Sequence, residues 1–271
     1  MDIRQLPIGV FDSGVGGLTV LRALHARLPH EALLYLGDMA RLPYGSKSPH
    51  TVSRYARQAA EVLVKRGIKL LVVACNTASA LALEDLRAAF PQIPVIGVLE
   101  PGAAAACAAT RSGRIAVIAT ESTVRGGAYE RAIHALLPAA AVRAAACPLF
   151  VALAEEGWHD GPVVEAVAQR YLKPLFADAR PDVLVLGCTH FPVLASAIAK
   201  VAGPETTLVD SAHTTAEAVA EMLATFDLAA EPSSKPSVHF ISTDSPERFA
   251  RVAEGFLPHT LRPLEVELID L

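Results

Sequence analysis

Short, uninterrupted apolar runs alternate along the chain with longer stretches in which apolar positions recur at helical spacing. The runs fall at 8–11, 33–36, 70–74, 95–98, 115–119, 183–186, 208–209 and 238–241. They are built from Val, Ile and Leu without polar alternation, the pattern of strands covered on both faces. Helical spacing predicts helices over 17–28, 51–66, 78–89, 126–137, 163–177, 193–201 and 214–225. Ser48-Pro49 and Asp160-Gly161-Pro162 supply start signals for two of them. Strands alternating with helices predict an α/β fold with mainly parallel sheets.

A faint repeat divides this pattern. The segment LLVVACNT (70–77) resembles VLVLGCTH (183–190), and IPVI (93–96) falls on TTLV (206–209) at the same offset. Near that offset, IGVFD (8–12) resembles IAVI (115–118). Two pseudo-symmetric α/β domains are the simplest account. The residues after about 210 lie beyond the second copy and must pack on one of the domains. The stretch 229–236, rich in Ala, Pro and Ser, reads as a flexible surface segment.

Composition narrows the class. The 271 residues are 52% hydrophobic and 19% charged, which excludes a disordered chain. Lys plus Arg number 24 against 28 Asp plus Glu, a net charge of −4, with no basic block. That balance lacks the footprint of a nucleic-acid binder. The longest uncharged apolar run, 183–199, is interrupted by Thr189-His190 and Pro192 and is too short for a bilayer span. The N-terminal residues show no secretory pattern, so a cytoplasmic, non-membrane protein is expected.

The four cysteines, Cys75, Cys107, Cys147 and Cys188, form no C-x-x-C pair. A zinc site is not expected, nor are disulfides in a reducing compartment. Cys107 and Cys147 read as core filler. Cys75 and Cys188 each end an apolar run and are followed at once by hydrogen-bonding residues, Asn76-Thr77 and Thr189-His190. Ligands of open α/β sheets bind at that strand edge, so two thiols at equivalent points could face each other across a cleft. The turn Asp12-Ser-Gly-Val-Gly-Gly17 suggests an anion site at a helix start. It is neither the dinucleotide fingerprint nor a P-loop. Asp12 is either a helix cap or a group that pairs with a substrate ammonium. Pro43-Tyr44-Gly45-Ser46 reads as a turn. Glu155 is either a surface residue or, with His190, a neighbour that tunes a thiolate.

Taken in order, IGVFDSGVGGLTVL, LPYG, VACNTASA, VIATESTV, CPLFVALAEEG, LGCTHFP and VDSA resemble the glutamate racemase family. The likeness runs from Ile8 to about Thr215, with Leu42 standing where the family often has Val. It implies cofactor-independent interconversion of L- and D-glutamate, supplying D-glutamate for peptidoglycan, with no metal. Cys75 and Cys188 take the place of the catalytic thiols, with Asp12 assisting Cys75 and with Glu155 and His190 around Cys188. Substrate-binding positions are Asp12, Ser13, Tyr44, Gly45, Asn76, Thr77, Thr120, Thr189 and His190. One domain would comprise 1–98 with 210–271, the other 99–209, with the site between them. The short segment before Ile8 lacks the longer extension that some relatives use for activation by a cell-wall precursor, so that regulation is not expected.

Inverting an α-carbon means removing a proton from one face and adding one to the other, which suits two thiols on opposite sides. Each turnover then needs one thiolate and one thiol. Aspartate or hydantoin racemases and one-thiol decarboxylases are rival readings on the same scaffold. A cysteine hydrolase using Cys188 and His190 and a small-molecule binding protein are the more distant ones. The expected partner is a small-molecule substrate; a homodimer is compatible with the sequence but is not fixed by it.

Overall fold

The structure is a computed structural model that describes residues 2–232, 236–258 and 260–271. Its strands are β1 (Ile8–Asp12), β2 (Leu33–Gly37), β3 (Leu70–Val73), β4 (Val95–Gly97), β5 (Arg114–Ala119), β6 (Ala141–Ala146), β7 (Val183–Gly187), β8 (Thr207–Asp210), β9 (Val238–Ser242) and β10 (Val266–Leu268). Among the described residues they form two sheets, one in the order β10-β9-β2-β1-β3-β4 and one in the order β6-β5-β7-β8. Each strand pairing is parallel. The helices are α1 (Leu18–Arg27), α2 (Pro49–Lys65), α3 (Asn76–Ala89), α4 (Leu99–Ala109), α5 (Glu121–Arg125), α6 (Ala128–Leu136), α7 (Leu149–Glu155), α8 (Pro162–Leu175), α9 (Ala195–Ala202), α10 (Ser211–Thr225) and α11 (Pro246–Ala253).

The α/β fold with parallel sheets follows the sequence reading, and the repeat has a topological meaning. The order β2-β1-β3-β4 in the first sheet is the order β6-β5-β7-β8 in the second. Cys75 and Cys188 therefore follow corresponding strands, β3 and β7. The chain after α10 returns to the first sheet, where β9 pairs with β2 and β10 with β9. Strands β1, β2, β3 and β7 are buried along their whole length, as their uninterrupted apolar runs require. One continuous core joins β1 and α1 of the first sheet to α7, α8 and α9 of the second.

Some elements had no apolar signature. β6, AVRAAA, carries no bulky aliphatic run because it is a half-exposed edge strand. β10 is another short edge strand with exposed positions. The helix expected over 126–137 is α6, which starts just after Gly127, where φ is +60°, a left-handed conformation that suits glycine; the short helix α5 before it was not expected. The surface segment expected over 229–236 lies partly outside the described residues, at 233–235.

Candidate active site

Parallel strands end at the same edge of a sheet, and that edge gathers the candidate residues of the first half. Asp12 is the last residue of β1, and β3, its hydrogen-bonded neighbour, leads through Ala74 to Cys75, which caps α3. In the second sheet β7 leads directly into Cys188-Thr189-His190 before a single helical turn at Phe191–Leu194. Cys75 and Cys188 are 4% and 5% exposed, so both thiols are shut away from bulk water.

On the first side, the Cys75 thiol donates to Ser13 Oγ at 3.4 Å. Burial, and then the charge of nearby Asp12, push this thiol up to about 12 against the opposing help of Ser13 and the Ala78 N–H. Cys75 is therefore a neutral thiol at physiological pH. The Cys188 charge also acts on it, which places the two sulfurs within electrostatic reach of one another. Asp12 is fully buried and accepts the Gly14 N–H at 2.9 Å through Oδ2, while Oδ1 has no hydrogen-bond partner. Burial raises the Asp12 pKa above the ordinary carboxylate value, opposed by His190 and by the N–H groups of Gly17, Gly14 and Ser13. A buried acceptor without a partner is expensive, and a ligand ammonium is the kind of group that would satisfy it.

On the second side, His190 Nδ1 lies 3.8 Å from Cys188 Sγ, and His190 Nε2 lies 3.2 Å from Glu155 Oε1. Burial would drive the imidazole toward its neutral form. Its bonds to Cys188 and Glu155, with the charges of Cys188 and Asp12, outweigh burial and lift its pKa to about 10. Glu155 is pulled the other way: burial disfavours its charge, but His190 and Arg248 hold its pKa below the ordinary range. The pair is thus an imidazolium and a carboxylate, with the imidazolium beside the sulfur. Arg248 Nη2 reaches Glu155 Oε2 at 3.2 Å. The His190 ring also meets the Phe256 ring edge to face, with centroids 5.6 Å apart.

The halves meet over a band of hydroxyls. Thr77 Oγ1 is 2.9 Å from Thr120 Oγ1 and 3.2 Å from Thr123 Oγ1, and Thr120 and Thr123 are 3.0 Å apart. Gly45 abuts Thr120 so closely that a Cβ would come within 2.6 Å of Thr120 Cβ. The Asn76 amide accepts from Tyr129 Oη at 2.7 Å and donates to Ser211 Oγ at 3.4 Å. The Tyr44 hydroxyl donates to Asp38 Oδ2 at 2.5 Å, and Asp38 also accepts from Arg41 and Thr243. Tyr44 and Asn76 thus have their polar groups engaged within the protein, and Thr189 lends its carbonyl to the Thr19 hydroxyl.

Sequence reasoning did not single out Arg248, Phe256, Tyr129, Thr123, Ser211 or Thr243. Arg248 and Phe256 lie in the C-terminal region, which carries no motif, and Tyr129 sits within an ordinary amphipathic helix. Ser211, inside the quoted VDSA, had a local signal at a strand-to-helix junction. Cys107 is half-buried in α4, whereas Cys147 is fully buried and close enough to feel the Cys188 charge.

The pattern of the Asp/Glu/Hydantoin racemase family matches residues 17–219 of the chain. The glutamate racemase of Geobacter metallireducens is 53% identical over 250 residues, 92% of this chain and 92% of that one. Among solved structures, glutamate racemase isoform RacE1 of Bacillus anthracis superposes with a TM-score of 0.93 at 38% identity, covering 99% of this chain and 98% of that chain. The glutamate racemase of Francisella tularensis in complex with D-glutamate superposes with a TM-score of 0.91 at 36% identity, covering 98% of each chain. With these matches and the paired strand-end sites, the chain belongs to the Asp/Glu/Hydantoin racemase family and is an amino-acid racemase.

Proposed function

We propose that this racemase interconverts L- and D-glutamate without a cofactor, by proton transfer between Cys75 and Cys188. The observation that carries this reading is the pairing of two buried thiols on corresponding strands of two repeated sheets, with different electrostatic settings. Cys75 is held as a thiol, whereas the Cys188 sulfur lies 3.8 Å from Nδ1 of His190, whose other ring nitrogen faces Glu155 at 3.2 Å. One inversion needs a thiolate on one face and a thiol on the other, and the two sulfurs sit in these unlike surroundings. Close agreement with relatives named glutamate racemase supports glutamate as the substrate. We take residues 1–98 with 210–271 as one domain and 99–209 as the other.

With L-glutamate bound, the Cys188 thiolate takes the Cα proton and becomes a thiol. The electron pair left on the substrate delocalises into its α-carboxylate, and Cys75 delivers its S–H proton to the opposite face. Oriented donors around that carboxylate stabilise the intermediate at about 3–4 kcal/mol each. Asn76, Thr77, Thr120 and Thr189 border the thiols and supply hydroxyl and backbone donors. Asp12 and Ser13 flank Cys75, and the unpartnered Asp12 oxygen is suited to the substrate ammonium. The Pro43–Ser46 turn, through Tyr44 and Gly45, closes the site against Thr120. The family likeness supports a role for the product in peptidoglycan synthesis, and we take the enzyme to act in the cytoplasm. No helix among the described residues is long and apolar enough to cross a membrane.

Solvent-hydrogen tracing tests the mechanism. In D2O both thiols exchange before substrate binds. D-glutamate formed at low conversion from L-glutamate is expected to carry deuterium at Cα from the first turnovers, while unreacted L-glutamate keeps its proton. Substantial proton retention in the early product overturns the two-thiol assignment.

A further inference from the structure

We propose that Arg248 is a positioning residue for the proton transfer at Cys188: it sets the Glu155–His190 pair from across the junction between the two halves. The inference rests on the two-thiol reading above and assigns a role to the C-terminal segment, whose residues carry no motif.

Glu155 uses its two oxygens in opposite directions. Oε1 meets His190 Nε2 and Oε2 meets Arg248 Nη2, each at 3.2 Å. The carboxylate cannot turn to improve one contact without giving up the other. His190 in turn presents Nδ1 to Cys188, so the angle of the Glu155 carboxyl sets where the imidazolium proton points. Glu155, His190 and Cys188 all belong to the half built on the second sheet. Arg248 does not: it lies in the first turn of α11, where its N–H is capped by Ser245 Oγ at 3.2 Å.

That turn is fixed to the first half. Phe249, the next residue, is fully buried with its ring centroid 5.9 Å from that of Tyr35 and 6.3 Å from that of Phe240. Further on, Arg22 of α1 donates to the Phe256 carbonyl at 3.2 Å, and the Phe256 ring is the one that packs edge-on against His190. The C-terminal segment thus touches the Cys188 group twice, through an ion pair and through a ring. An exposed ion pair ordinarily contributes little, and the Arg248 side chain is 47% exposed. Its partner carboxylate is only 16% exposed and is already committed to a buried histidine, which gives the contact a consequence beyond its own strength.

The test uses Arg248→Met and Arg248→Lys in the full chain. Two enantiomers have an equilibrium constant of one, so kcat/KM must change equally in both directions and cannot report which thiol is affected. Primary isotope effects on kcat/KM can. L-[2-2H]glutamate reports the transfer to Cys188, and D-[2-2H]glutamate the transfer to Cys75. In Arg248→Met, kcat/KM is expected to fall on the order of 10-fold, as when a partner that orients a reacting group is lost. The isotope effect from the L side rises and that from the D side falls, with Arg248→Lys restoring most of both. An unchanged kcat/KM overturns the proposal. So does a loss in which the two isotope effects stay constant or move together, as a general structural loss would produce. Proton retention in the unsubstituted enzyme overturns the two-thiol reading itself, whereas wild-type isotope effects in Arg248→Met overturn only the role of Arg248.

Discussion

Gly14 and Gly16 stand two residues apart in the turn after β1, and the structure assigns them opposite tolerance to a methyl group. A Cβ at Gly16 would lie 2.5 Å from His190 Nδ1 and 2.6 Å from His190 Cε1. Ordinary contact begins near 3.5 Å, so the imidazole or the turn must yield by about 1 Å. The imidazole is not free to yield, because Cys188, Glu155 and Phe256 hold it on other sides. At Gly14 the nearest atoms to an added Cβ are Leu42 Cδ2 at 3.6 Å and Met39 Sδ at 3.8 Å, which is ordinary packing. Neither glycine has a left-handed φ, so backbone strain does not separate them. Gly16→Ala should therefore lose about 1–3 kcal/mol to overpacking, with a melting temperature lower by about 2–4 °C per kcal/mol in a chain of this size. A displacement of about 1 Å at a reacting group costs on the order of 10²-fold in rate, and the nitrogen displaced is the one facing Cys188. Gly14→Ala should keep its rate and be neutral or stabilised by about 0.4–1 kcal/mol. The assay is initial racemisation rate by polarimetry, alongside thermal unfolding of both variants. Equal rates for the two variants would refute the reasoning, as would Gly16→Ala with a wild-type turnover number.

Tyr129→Phe removes the hydroxyl that bonds Asn76 Oδ1 and leaves a buried acceptor unpaired; a loss of about 1–3 kcal/mol is expected in denaturant unfolding. Asp182 carries the pH prediction. Burial opposes its charge, but the Thr110 hydroxyl and the N–H groups of Arg111 and Ser112 outweigh burial and lower its pKa from 3.8 to about 2. A depressed carboxylate contributes stability above its unfolded value, and that contribution is lost as pH falls from 3.8 through 2. Asp182→Asn should therefore melt below wild type at pH 7, with the difference closing near pH 2; a constant difference across that range would contradict the assignment.

How much of this was readable from the chain depends on whether a residue's neighbours are local. The thiols announced themselves because a strand end, a cysteine and a helix start are consecutive in sequence. The strands of both sheet interiors were legible because burial on two faces demands an unbroken apolar run. β6 was not, since an edge strand needs no such run. The partners of the site residues were mostly invisible. Asp12 could be read as either a cap or a charge partner. That its Oδ1 is left without a hydrogen bond depends on packing across the turn. Arg248 meets Glu155 across 93 positions, from a segment that carries no motif. Tyr129 reaches Asn76 from the opposite half, and its sequence setting is that of any core-facing tyrosine.

The return of the chain to the first sheet has a mechanical side. The polypeptide passes between the two halves twice, once from β4 into α4 and once from β8 into α10, which packs against both α1 and α4. A body tied at one point can swivel in any direction, whereas one tied at two can turn only about the line joining them. The double tie therefore leaves one axis along which the halves can be set against each other around the enclosed thiols. It holds the same surfaces in register: Thr77 against Thr120 and Thr123, Asn76 against Tyr129, and Glu155 against Arg248.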